Sequence, residues 1–200
     1  MTNHGLVSKR AFRTALGFFL VAISFTSAAR ASRTRLLNLE EMTQRSARIF
    51  SGRCLQIHVD HDPSINIDVT SVKFAVGRMV KGRRDRTVTI RMADSTRPGG
   101  PGSQVVGMPT FTVGEEVVLF LYGESRAGLT SPVGFGQGKF TIVTDKKGRR
   151  YALNVRESGT LFSGLSPGAT RRLAAFERER GAGQGISPDV LLDMARALAQ

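Results

Sequence analysis

His58, Asp60, His61 and Asp62 gather four metal-capable side chains into one short stretch. Imidazole and carboxylate are ordinary zinc donors, and a zinc site needs three or four protein ligands. On an extended chain residues 58 and 60 share a face, whereas the direction of 61 depends on the local turn. Asp60-His61-Asp62-Pro63-Ser64 has the composition of a hairpin turn. These four residues are therefore candidate ligands of a surface metal, set against a plain solvated turn. A hydrolase would also have to draw its histidine from His58 or His61.

Other chemistry has thinner support. Ser163, in Leu161-Phe-Ser-Gly164, lacks the Gly-x-Ser-x-Gly elbow and the preceding strand that a nucleophilic serine needs. Gly134-Phe-Gly-Gln-Gly-Lys139 has neither P-loop nor dinucleotide spacing and precedes a strand, so its glycines read as close packing. Cys54 is the single cysteine, which excludes an internal disulfide, and its apolar surroundings predict a buried, inert thiol. No catalytic residue and no cofactor are assigned.

Three basic clusters stand out: Arg83-Arg84-Asp85-Arg86, Lys146-Lys147-Gly148-Arg149-Arg150 and Arg171-Arg172. The chain carries a formal charge of +13. Such a surplus attracts polyanions. Single-stranded nucleic acid needs aromatic stacking platforms beside the charge. Tryptophan is absent, there are two tyrosines, and most of the phenylalanines fall in apolar runs, which argues against nucleic acid.

The leading segment narrows the partners further. Lys9, Arg10 and Arg13 precede the apolar run Ala15–Phe25, and Ala29 and Ala31 supply small residues before Ser32. This order predicts a secretory signal over 1–31, cleaved between Ala31 and Ser32. The uncharged run from Thr14 to Ala29 is short for a hydrocarbon core of about 30 Å. Removing Lys9, Arg10, Arg13 and Arg30 would take the charge from +13 to +9. The mature protein is then expected in the periplasm or outside the cell, with no transmembrane segment.

The elements that must position these residues follow in order. Asn38 with Glu41 makes a capping box for a short helix. Strands are expected over 49–59 and 65–76, with a bulge or tight bend at Gly52. A third strand carries Val88, Ile90 and Met92 inward. Residues 94–112 lose pattern around Pro98-Gly99-Gly100-Pro101-Gly102, which predicts a long mobile loop. Glu115–Tyr122 is nearly all apolar and should be the most buried strand. A hairpin over 138–155 turns at Asp145-Lys146-Lys147-Gly148. Residues 157–200 form a linker and a C-terminal helix opened by Ser187-Pro188-Asp189, whose apolar stripe either docks on the domain, the commoner use of such a stripe, or binds a partner.

The expected fold is mainly β, a five- to six-stranded OB-like closed or partly open barrel over 32–156. Leu39-Glu40-Glu41, Ser51-Gly52-Arg53, Val80-Lys81-Gly82, Pro109–Leu121 and Gly136-Gln137-Gly138-Lys139-Phe140 occur in an order that resembles a group of exported bacterial proteins of unknown function. Their domain is similar to the OB-type barrel of netrin-like and metalloproteinase-inhibitor modules, and the match covers about residues 38–155. Those inhibitors use an N-terminal, disulfide-held cysteine to reach a protease metal. The expected mature start, Ser32, has none, so no functional residue is carried over. The residues favour a non-enzymatic binding module for a protein or an anionic envelope component. A hydrolase or metal-dependent enzyme built on His58 and His61, and a protease-inhibitor-like module, are the alternatives.

Overall fold

The computed structural model describes residues 35–93, 107–154, 158–179 and 186–200. The expected signal, its cleavage point at Ala31 and Ser32, and the first part of the 94–112 loop lie outside the described residues.

Helix α1 (Leu39–Arg45) starts as the capping box requires. Asn38 Oδ1 accepts from the Glu41 amide, and Glu41 accepts from the Asn38 amide. Strands β1 (Arg48–Asp62), β2 (Ile67–Lys81), β3 (Thr87–Ala93), β4 (Glu116–Leu121), β5 (Lys139–Thr144) and β6 (Arg150–Asn154) form one antiparallel sheet in the order β3-β2-β1-β4-β5-β6. Two further helices follow, α2 (Pro167–Leu173) and α3 (Pro188–Leu198).

The sheet is not closed. Its edges are β3 and β6, and each is partly satisfied by a loop instead of by the other edge. Thr130 N–H donates to Arg91 O on β3 at 2.8 Å, and Ala152 N–H on β6 donates to Ile186 O at 2.8 Å. The expected barrel is therefore observed as an open, bent six-stranded sheet.

The bend has a local cause. The β1–β2 register shifts at Ile49/Phe50, Ser51/Gly52 and Cys54/Gln56. A Cβ on Gly52 would sit 2.7 Å from Ala75 O, so the two backbones approach there as only glycine allows. The β1–β2 hairpin turns later than composition predicts. The ladder continues through Asp60↔Val69, His61↔Asp68 and Asp62↔Ile67, and the turn begins only at Pro63, which has no N–H to extend the ladder.

Strand β4 is buried on both faces, which explains its unbroken apolar sequence. Val117, Leu119 and Leu121 join Phe50, Phe74 and Ile90 in one core. Val118 and Phe120 point into a second core with Leu39, Met42, Leu191 and Leu192. Full burial of each such side chain contributes roughly 1.5–3 kcal/mol. Helix α3 thus packs into the second core, with Leu191, Met194 and Ala195 fully buried. Among the described residues no helix is long and apolar enough to cross a membrane.

The last part of the predicted mobile loop is fixed. Phe111 meets the Phe74 ring edge-on at 5.3 Å, and Lys139 Nζ donates to Thr110 O at 2.7 Å.

Candidate functional site

Strand alternation decides the fate of the four candidate ligands. Because β1 runs through to Asp62, His58, Asp60 and Asp62 project from one face and His61 from the other. His61 Nδ1 lies 3.0 Å from Asp68 Oδ1, its cross-strand neighbour. Asp62 receives Arg91 Nη2 at 2.5 Å and the Ser64 hydroxyl at 2.5 Å. Those bonds, Ser64 first and then Arg91, hold its carboxyl below the usual aspartate range. His58 and Asp60 are exposed, 3.9 Å apart. Asp62 and His61 therefore serve as strand-to-strand ties. Among the described residues no three histidine, cysteine or acidic side chains converge as a metal site.

The other sequence candidates have structural employment too. Cys54 is 1% exposed, and burial, reinforced by the charge of Glu115, pushes its thiol up. Ser163 sits beside α1, where its carbonyl accepts from Asn38 Nδ2 at 3.1 Å. Gly138 packs so tightly that a Cβ would lie 2.6 Å from Val133 N. The preceding glycine loop forms a 3₁₀ turn, Phe135–Gly138.

The basic clusters behave differently. Arg83 is paired with Asp85 at 3.1 Å, and Arg84 and Arg86 stand exposed in the β2–β3 connection. Lys146 and Lys147 are exposed at the tip of the β5–β6 hairpin, next to an Arg149–Asp145 pair at 2.8 Å. The Arg149 backbone N–H, then its guanidinium, holds Asp145 below the ordinary aspartate range. Arg171 and Arg172 are exposed on α2.

One row of cross-strand neighbours links two of these clusters. Thr87 pairs with Ala75, Ala75 with Arg53, and Arg53 with Glu116. Glu116 then accepts from Arg53 Nη2 at 2.6 Å and from Arg150 Nη2 at 2.5 Å. The Arg53 hydrogen bond, with the positive charge of Arg150 behind it, holds the Glu116 carboxyl below the usual glutamate range. This row borders a cleft of about 310 Å³ between the β1–β2 bend and the first turn of α3. Reading the sequence missed it, because Arg53, Glu116 and Arg150 lie on three strands. The available signal was a pair of acids, Glu115 and Glu116, heading an otherwise apolar strand.

No protein-family model matches the chain, and no curated protein matches it in sequence.

Proposed function

We propose that this chain is an exported, non-enzymatic binding module whose basic turns engage an anionic envelope surface. Its bent sheet, in which the long β1 is shared between β2 and β4, is read as an opened relative of the OB-type barrel in netrin-like modules. The positive run at Lys9, Arg10 and Arg13, followed by Ala15–Phe25 and the Ala29/Ala31 pair, supports export.

One observation carries the reading. Two basic turns, Arg84 and Arg86 before β3 and Lys146 and Lys147 before β6, stand exposed on the strands of one hydrogen-bonded sheet. Turns tied to a packed sheet need little backbone ordering on binding, and the long-range attraction of their exposed cations favours association with a polyanion.

The test is co-sedimentation of protein recovered from the periplasmic fraction with phosphatidylglycerol or phosphatidylcholine vesicles. The expected result is pelleting with the anionic vesicles alone, abolished near 1 M salt, where the screening length falls to about 3 Å. A variant with Arg84, Arg86, Lys146 and Lys147 all changed to Ser should stay in the supernatant. Equal binding to neutral vesicles, or full binding by that variant, would overturn the reading.

A further inference from the structure

The cleft beside the Arg53–Glu116–Arg150 cluster is built unlike the open turns around it. Its floor is the backbone of the β1–β2 bend at Gly52 and Gly77. Ile142, Pro188 and Leu192 supply an apolar wall. Arg53 and Arg150 stand at the border, and Asp189 marks the far rim. A volume of about 310 Å³ lies at the small end of the range for ligand pockets.

We propose that this cleft binds a phosphate ester of a small polyol, of the size of glycerol phosphate, with the phosphate on Arg53 and Arg150 and the carbon chain along the apolar wall. This deepens the reading of an anion-binding module by giving one anionic group a defined seat.

At the cluster itself two guanidinium groups face one carboxylate, Glu116; the cleft's other acid, Asp189, stands on the far rim, 3.9 Å from Arg78. Each guanidinium carries five N–H donors, and each meets Glu116 through a single Nη2. The remaining donors of the two side chains can serve further acceptors. A tetrahedral phosphate, with acceptor oxygens in several directions, can bridge two such forks. Glu116 acts as a positioning residue, since without it the two like charges would push apart. The apolar wall matches a carbon-bearing ester better than a bare ion.

Calorimetric titration of the full protein with sn-glycerol 3-phosphate and with glycerol tests the inference. The ester should bind and glycerol should not. Arg53→Gln with Arg150→Gln should weaken the ester by about tenfold or more, since two charge-assisted hydrogen bonds are lost. Both side chains are at least half exposed, and circular dichroism would verify that the variant folds. Asp189→Asn removes a rim carboxylate that is 78% exposed and should tighten the ester by about two- to threefold. Lys146→Ser with Lys147→Ser should leave ester affinity within about twofold while reducing vesicle pelleting, which separates the cleft from the turns. Competition distinguishes the source of the ester: if glycerol phosphate releases phosphatidylglycerol vesicles the cleft holds a lipid head group, and if vesicles stay bound it holds the free ester. Either result upholds the site. Absence of ester binding, equal binding of glycerol, or unchanged affinity in the folded arginine variant would overturn it.

Discussion

Arg53 and Arg150 close on opposite oxygens of one carboxylate, Oε1 and Oε2 of Glu116, at 2.6 and 2.5 Å. The two arginines come from β1 and β6, which are separated in the sheet by β4 and β5. A single acid thereby aligns two cations that would otherwise repel, and it joins the bent half of the sheet to the β5–β6 hairpin.

Glu116→Gln should expose that role through pH. The native carboxyl titrates below its ordinary 4.5, held down first by the Arg53 hydrogen bond. A depressed carboxylate contributes stability above its unfolded value and loses it as pH falls through the native one. Urea denaturation at pH 7 should show the variant about 1 kcal/mol less stable, the upper end for a largely solvated pair. The gap should narrow below pH 4.5 and close once the wild-type glutamate is protonated. A gap of constant size from pH 7 to pH 3 would show that charge is not what Glu116 supplies.

The two glycines of the bend should respond in opposite ways. A Cβ on Gly52 meets Ala75 O at 2.7 Å and Phe50 Cε2 at 3.1 Å, while on Gly77 its nearest neighbour is Ser51 Oγ at 3.4 Å. Gly52→Ala should cost about 2 kcal/mol, because backbone and a core ring must both move. Gly77→Ala should be neutral or stabilise by up to about 1 kcal/mol, by restricting the unfolded chain. Equal midpoints for the two variants in denaturant would mean that the bend does not depend on the close approach at Gly52.

Much of this architecture is legible in the chain, for reasons that the structure makes plain. Glu115–Tyr122 is apolar at every inner position, and β4 is buried on both faces. Asn38 and Glu41 announce a helix start because a capping box is purely local. What fails are readings that need register. The run Asp60–Ser64 has turn composition, yet cross-strand bonding carries β1 to Asp62, and this moves His61 to the face opposite His58. Packing of Phe111 on Phe74 fixes a segment that composition marks as loop. The Arg53–Glu116–Arg150 cluster joins residues from three strands, and no spacing within one strand can reveal it.

The two histidines should differ as their positions do. His61 ties to Asp68, which is 9% exposed, whereas His58 faces solvent. His61→Ala should cost about 1 kcal/mol, the usual contribution of one hydrogen bond. His58→Ala should stay within about 0.5 kcal/mol, as surface changes do. Thermal melts of both variants, with and without zinc, check this. A zinc-dependent rise in the wild-type melting temperature that either substitution abolishes would return the pair to the candidate ligands.

Lys139 and Glu115 should prove the most consequential pair in the sheet. Their ammonium and carboxylate lie 2.7 Å apart with the side chains 13% and 15% exposed. Lys139 also donates to Thr110 O and stands 4.6 Å over the Phe111 ring, so one cation pins the whole 110–115 segment to β5. Lys139→Met leaves a nearly buried carboxylate without its cation and should cost about 3 kcal/mol. Adding Glu115→Gln should recover more than half of that loss, because the stranded charge is removed with its partner. The same segment covers Cys54: Cys54 N–H donates to Glu115 O, and Gly114 N–H donates to Cys54 O. Opening of this flap is therefore the local route to the thiol, whose buried setting holds its pKa up. Labelling with a thiol-reactive disulfide should be slow in the wild type and roughly a hundredfold faster in Lys139→Met, the rate ratio that about 3 kcal/mol implies. If labelling is equally slow in both while global stability drops, the lysine supports the core as a whole and does not latch the 110–115 segment.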